Sequence, residues 1–329
     1  MVIFCLEKES MEEFIIMLRN VLVFVALAIP GYILVKGKIL KPEQSGVLSK
    51  LLMYLALPFL IFSGGVNNLT FNKETMLMMG VVSVISIVFI LLMFYISKPL
   101  VMMEKDQKVA GMMRFCAVFA NNGFLGIPLA VAVFGRDSGV FAVLILINII
   151  NNVMMYTLGA YLTTGDKKNI SFKKAFLNPV LIAFVLSCIF NLLHVKDYVS
   201  EVVVFSDYFS NIVTPISMTV MGMKLGAIKI SSLFKSKKLY YVSFVRLILF
   251  PIIIVALSLG FELIGINLPM KDIILGMFVA FAMPTAGLAA TFADEFGGDS
   301  ENAVIYTLGT TVFSIITIPA LYWLVNLFV

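Results

Sequence analysis

Apolar residues come in long blocks along this chain, and the polar connections between them are short. A helix needs roughly 20 mostly apolar residues to cross the hydrocarbon core of a bilayer. That ruler marks ten blocks, at 14–35, 46–66, 76–97, 109–134, 138–163, 175–193, 203–227, 239–261, 272–294 and 302–328, called segments 1 to 10 below. No connection is long or polar enough to form a separate soluble domain, so residues 1–329 read as one membrane domain. The first block is too long for the apolar core of a signal peptide. It contains Arg19 and follows Glu7, Glu9, Glu12 and Glu13 where such a peptide would be basic, so it is expected to stay in the protein.

Two stretches depart from the even pattern, and they resemble each other. FANNGFLGIPLAVAVFGRDS runs from Phe119 to Ser138, and FAMPTAGLAATFADEFGGDS runs from Phe281 to Ser300. Both open with Phe-Ala and close with Phe-Gly-x-Asp-Ser. Both carry residues that a helix disfavours: Asn121, Asn122, Gly123 and Pro128 in segment 4, and Pro284, Thr285 and Gly287 in segment 9. Interrupted apolar segments at corresponding places in two halves are the best sequence pointer to a transporter's binding site. Pairing segment 4 with segment 9 gives two halves of five segments, about 14–163 and 175–328. Because five is odd, the halves enter the membrane from opposite sides and form inverted repeats. A fainter echo agrees: Pro58 and Gly65 in segment 2 have the same spacing as Pro215 and Gly222 in segment 7.

Composition and charge fit this reading. The chain is 61% hydrophobic and 13% charged, and its mean hydropathy is +1.04. It is therefore expected to be an all-α integral membrane protein of ten helices. Lysines gather in alternate connections: Lys36, Lys38, Lys41 and Lys50; Lys98, Lys105 and Lys108; Lys167, Lys168, Lys173 and Lys174; Lys229, Lys235, Lys237 and Lys238. The other face holds only Lys8, Lys73, Arg136, Lys196 and Lys271. The richer face marks the cytoplasm, which puts both termini outside a multi-pass plasma-membrane protein. One connection fits poorly: after segment 9 come Asp294, Glu295, Asp299 and Glu301 with no basic residue.

A mid-membrane break survives only where protein or a polar cavity satisfies the freed backbone groups. If both breaks lie near the midplane, two half-helix N-termini meet there and form a ready anion site. Polar residues follow each break. Asn148, Asn151 and Asn152 in segment 5, and Thr307, Thr310, Thr311 and Ser314 in segment 10, recur at helical three- and four-residue spacing. They read either as interhelical hydrogen-bonding groups or as cavity lining. Among charges, Arg19, Arg114 and Lys224 lie near segment ends and are expected to snorkel. Arg246 is deeper, and either balances an anionic substrate or caps a neighbouring helix C-terminus. No carboxylate lies mid-segment. His194 reads as a surface residue, and Cys5, Cys116 and Cys188 are scattered without disulfide or metal spacing.

The broken segments resemble the auxin efflux carrier family, which includes plant PIN-type carriers and bacterial malate and malonate permeases. The resemblance rests on Asn121-Asn122-Gly123-Phe124-Leu125-Gly126-Ile127-Pro128-Leu129, on Met283-Pro284 in segment 9 and on Leu57-Pro58 in segment 2. It implies a fold like that of bile acid and sodium/proton transporters. Segments 1, 2, 6 and 7 would form a scaffold, and segments 3–5 and 8–10 a moving transport domain whose segments 4 and 9 cross at the site. It also implies organic anion substrates, with Asn121 as a contact and Pro284 and Thr285 as the break. Plant members carry proline just before that asparagine. Here the position is Ala120, so Asn122 and Gly123 are expected to supply the break.

The function expected is a secondary transporter or facilitator of small carboxylates, with no cofactor and with H+ and Na+ both open as coupling ions. The expected site is Asn121, Asn122, Gly123, Pro284, Thr285, Asn148, Asn152, Thr310 and Arg246. The expected partners are the substrate and membrane lipid, not nucleic acid, with a homodimer left open. A membrane enzyme is disfavoured, because one histidine and no central acids leave no base, acid pair or metal cluster. A channel or receptor on the same fold stays as the alternative.

Overall fold

The computed structural model describes residues 2–69, 71–227, 235–262 and 270–326, and among these every regular element is helical. Lys229 and the end of segment 10 at 327–328 lie outside the described residues. Six helical stretches are long and apolar enough to cross a membrane: Ile15–Lys36, Pro42–Asn67, Lys73–Pro99, Gly139–Thr164, Lys237–Gly260 and Ser300–Asn326. They carry segments 1, 2, 3, 5, 8 and 10. The other four segments are built from shorter helices. Segment 4 divides into Gln107–Val118 and Asn122–Phe134, and segment 9 into Met270–Ala282 and Ala289–Phe296. Segment 7 divides into Glu201–Ser210 and Val213–Ala227, and segment 6 is the single helix Pro179–Leu192.

Helix ends follow local chemistry. Asn72, Asp106, Ser138, Asn178 and Ser236 each accept an amide hydrogen bond from the first turn of the helix that follows. The tail shared by the two repeated stretches is such a joint. Gly135 (φ 85°) and Gly297 (φ 74°) stop the preceding helices in a conformation that favours glycine. Ser138 then caps segment 5 through Phe141 N–H, and Asp299 caps segment 10 through Asn302 N–H.

Packing explains the Pro-Gly echo. Segments 1 and 7 lie backbone to backbone: a Cβ on Gly222 would sit 1.8 Å from the Ala28 carbonyl oxygen, and one on Gly31 would sit 2.0 Å from that of Thr219. Segments 2 and 6 approach similarly, where a Cβ on Gly65 would meet Ser187 Oγ at 2.0 Å. Gly222→Leu should therefore force the first pair apart. We expect a melting temperature lower by several degrees or failure to purify, read by fluorescence-detected size exclusion, whereas Gly80→Ala, which meets nothing within 4 Å, should have little effect. Segments 3, 5 and 9 pack around a fully buried aromatic core that includes the Phe89–Phe281 edge-to-face pair.

Three ion pairs join connections or segment ends that lie on a common face. Arg136 meets Asp207 at 3.2 Å, Lys174 meets Glu295, and Lys238 meets Glu104. The second explains the acidic connection that fitted poorly, since it lies against the basic connection after segment 5. The Lys238 ammonium also holds the Glu104 carboxyl below its ordinary pKa. Two charges expected to snorkel turn inward instead. Arg114 donates to Ser97 Oγ (3.1 Å) and the Phe94 carbonyl (2.8 Å), and Lys224 reaches the Gly287 carbonyl (3.0 Å). In both cases a helix packed alongside offers an acceptor, so the side chain does not have to run to the interface. His194 is exposed, as expected.

Candidate functional site

The two breaks meet. Segment 4 is extended at Phe119 (φ −97°, ψ 124°) and restarts as a helix after Asn121 (φ −82°, ψ 56°). Segment 9 is irregular from Met283 to Leu288. The two irregular stretches pair as an antiparallel bridge, Ala120 opposite Thr285. Asn121 N–H donates to the Pro284 carbonyl (2.8 Å), and Ala286 N–H donates to the Phe119 carbonyl (2.9 Å). Each break thus satisfies the other, as a low-dielectric surrounding requires.

The expectation for segment 4 needs correction. Asn122 and Gly123 do not form its break: they lie in the first, wide turn of the second half, Asn122–Gly126, and the break is Phe119–Asn121. Pairing with segment 9, rather than a helix-breaking residue, opens the chain there. Pro128 lies inside the continuous helix Asn122–Phe134, directly after its wide turn Asn122–Gly126, so the helix runs through the proline and the break is not there. The breaks are also out of register with the repeat, because Phe281 and Ala282 remain helical where their counterparts Phe119 and Ala120 are extended.

Around the bridge, side chains cap the helix ends. Arg246, fully buried in the π turn Val245–Leu249 of segment 8, donates Nε to the Met283 carbonyl (2.9 Å) and Nη2 to that of Phe281 (3.0 Å). Its Nη1 donates to the carbonyls of Ala117 and Val118, both at 3.2 Å. These are the C-terminal ends of the first halves of segments 4 and 9, where carbonyls lose their helical partners and carry partial negative charge. Of the two roles the sequence left open, the geometry is that of the helix cap. Thr285 Oγ1 donates to the Cys116 carbonyl (2.8 Å), and Thr285 N–H donates to Thr310 Oγ1 (3.1 Å). Thr310 therefore ties segment 10 to the break.

A cavity of about 30 Å³ lies beside the bridge, lined by Asn121, Gly123, Asn148, Asn151, Asn152 and Gly287 among others. It brings together four of the nine expected residues: Asn121, Gly123, Asn148 and Asn152. Asn122, Pro284, Thr285, Thr310 and Arg246 build the crossing without lining this cavity. Asn151 donates to the Ala120 carbonyl (3.3 Å), and Asn152 Nδ2 donates to the Asn148 carbonyl (2.8 Å) and Oδ1 (3.2 Å). The Nδ2 groups of Asn121 and Asn148 are buried and have no partner. The amides of the first turn after the break, at Asn122, Gly123 and Phe124, have no intrahelical acceptor either. Asn151 Oδ1, in the same lining, is a buried acceptor without a partner, so donors outnumber acceptors among these groups. At this size the cavity has room for a water or two.

Leu288 is shared with a second, larger hollow of about 540 Å³, whose walls include Lys50, Lys173 and Lys174 with Tyr54 and Tyr156. This vestibule lies on the lysine-rich face, and Glu295, paired with Lys174, is also in its wall. Leu288 and Gly287 were not expected in the site, since neither carries a polar side chain. Asn151 was visible by its spacing.

Residues 15–322 match the family model described as membrane transport protein. The chain belongs to the auxin efflux carrier family. It is thus a multi-pass membrane transport protein, and among its relatives are two archaeal uncharacterized transporters. One, from Methanocaldococcus jannaschii, is 26% identical over 319 residues, covering 92% of this chain and 97% of the relative. The other, from Methanothermobacter thermautotrophicus, is 25% identical over 310 residues, covering 92% and 96%. Coverage above 90% on both sides means that the likeness spans nearly the whole chain and is not confined to one half of it.

Proposed function

We propose that the protein is a secondary transporter or facilitator of small organic anions, mono- or dicarboxylates, bound where segments 4 and 9 cross. The observation that carries this reading is the pair of buried, unpartnered amide donors, Asn121 Nδ2 and Asn148 Nδ2, facing one cavity at the crossing. A buried donor without an acceptor is unfavourable by about 1–3 kcal/mol, and a carboxylate offers acceptors to both. The half-helix amide ends favour the same charge, and the vestibule lysines would raise the local anion concentration.

The mechanism we propose is alternating access of the elevator type. Segments 3–5 and 8–10 move as one body against a scaffold of segments 1, 2, 6 and 7, and the two five-segment halves are inverted repeats. The antiparallel bridge supports one moving body, because it ties segment 4 to segment 9 through backbone hydrogen bonds. The close approaches support the inverted repeats, since exchanging the halves turns segment 7 against segment 1 into segment 2 against segment 6. A cavity of about 30 Å³ is smaller than a dicarboxylate, so binding requires the crossing to widen. In this reading the vestibule faces the cytoplasm of a plasma-membrane protein with both termini outside.

Proteoliposomes test the reading. Saturable malonate or acetate uptake that is accelerated by unlabelled substrate on the far side is the expected result. Imposed pH and Na+ gradients then assign the coupling ion. Unsaturable flux would make the protein a channel. Absence of both flux and thermal stabilisation across a panel of mono- and dicarboxylates would overturn the reading.

A further inference from the structure

We infer that Lys224 is the charge-selecting residue of this site: its ammonium is the counter-charge that lets the crossing take a carboxylate in preference to a neutral amide of the same shape. The inference rests on the anion-carrier reading and adds a residue outside the expected site. Lys224 lies on Val213–Ala227 of segment 7, a helix that also packs against the Asn122–Gly126 turn. Its Nζ donates to the Gly287 carbonyl at 3.0 Å. Gly287 lines the cavity, and a Cβ placed on it would lie 3.4 Å from Asn121 Nδ2. Gly287 therefore borders both groups, holding the ammonium through its carbonyl and lying against the unpartnered amide donor, while Lys224 itself does not line the cavity.

An ammonium has three donors, and one hydrogen bond is described for this one. Among the described residues the ion pairs are Arg136–Asp207, Lys174–Glu295, His194–Asp197 and Lys238–Glu104, so no carboxylate answers Lys224. A partly buried cation held by one neutral carbonyl is under-compensated. Arg246 differs, since four carbonyls engage it. Lys224 keeps donors free on a flexible stem and can turn from Gly287 toward a carboxylate beside Asn121. The same turn would loosen a tie between segments 7 and 9.

The test measures malonate and malonamide binding to full-length protein in nanodiscs by calorimetry, for wild type, Lys224→Gln and Lys224→Arg. The inference expects wild type to prefer malonate. It expects Lys224→Gln to lose at least about tenfold in malonate affinity with malonamide affinity unchanged, and Lys224→Arg to stay within about threefold of wild type. Unchanged malonate affinity in Lys224→Gln would overturn it. So would equal loss of both ligands with a lower melting temperature, which would make Lys224 only a prop for Gly287. If Lys224→Gln does not fold, Lys224→Arg decides, because loss of the malonate preference with charge retained also overturns the inference. Wild type that binds neither malonate nor any other carboxylate would instead defeat the anion-carrier reading itself.

Discussion

Replacing Arg246 with glutamine should remove most of the folded protein, not merely its transport. The guanidinium bonds to four carbonyls, two at the end of each first half-helix. A shortened neutral amide reaches at most one or two of them. Each carbonyl left buried and unpaired is unfavourable by about 1–3 kcal/mol, so the loss is on the order of several kcal/mol. Typical native stability is only about 5–15 kcal/mol. The charge also opposes the partial negative ends of two helices at once, and glutamine supplies no such compensation. Arg246→Lys should fail nearly as badly, because a point ammonium cannot span the fork that reaches Ala117, Val118, Phe281 and Met283. Monodisperse yield and melting temperature in detergent are the readouts. A drop on the order of 10 °C, or no recoverable protein, is expected. Near-normal yield and melting temperature with transport abolished would show instead that Arg246 acts on the anion.

The contrast between Arg246 and Lys224 shows what the chain alone makes legible. Segment positions, the paired interruptions and the Asn148–Asn152 face follow from hydropathy and helical spacing, which are local. The exact break in segment 4 does not. Asn122 and Gly123 are the weaker helix formers, but the chain opens at Phe119–Asn121 because backbone pairing with Pro284 and Ala286 and capping by Thr285 and Arg246 stabilise that point. Those partners are over 100 residues away, beyond any local pattern. Lys224 was misjudged for the same reason. Its nearness to a segment end suggests snorkelling, while its acceptor belongs to a different segment. Gly287 enters the site through its backbone carbonyl, and Leu288 is apolar, so neither carries a polar side-chain signal.

Asn121→Ala and Asn148→Ala should move stability and affinity in opposite senses. In the described structure both Nδ2 groups are buried donors without acceptors, so deleting one relieves an unfavourable desolvation of about 1–3 kcal/mol. Against that stands a small loss of packing next to a cavity already about 30 Å³ in size. The unliganded melting temperature should therefore hold or rise slightly for Asn121→Ala. For Asn148→Ala the gain is smaller, because Asn148 Oδ1 also accepts from Asn152. Carboxylate affinity should fall by about ten- to a hundredfold in each single variant, the range expected when a hydrogen bond to a charged group worth about 1.5–3 kcal/mol is removed. The double variant should lose less than the sum, since both donors address one small anion. Thr285→Val provides the comparison. Its hydroxyl caps the Cys116 carbonyl, so it should lower the melting temperature first and affinity only in consequence. If Asn121→Ala and Asn148→Ala both melt lower than wild type and bind malonate unchanged, these asparagines are structural and the site lies elsewhere.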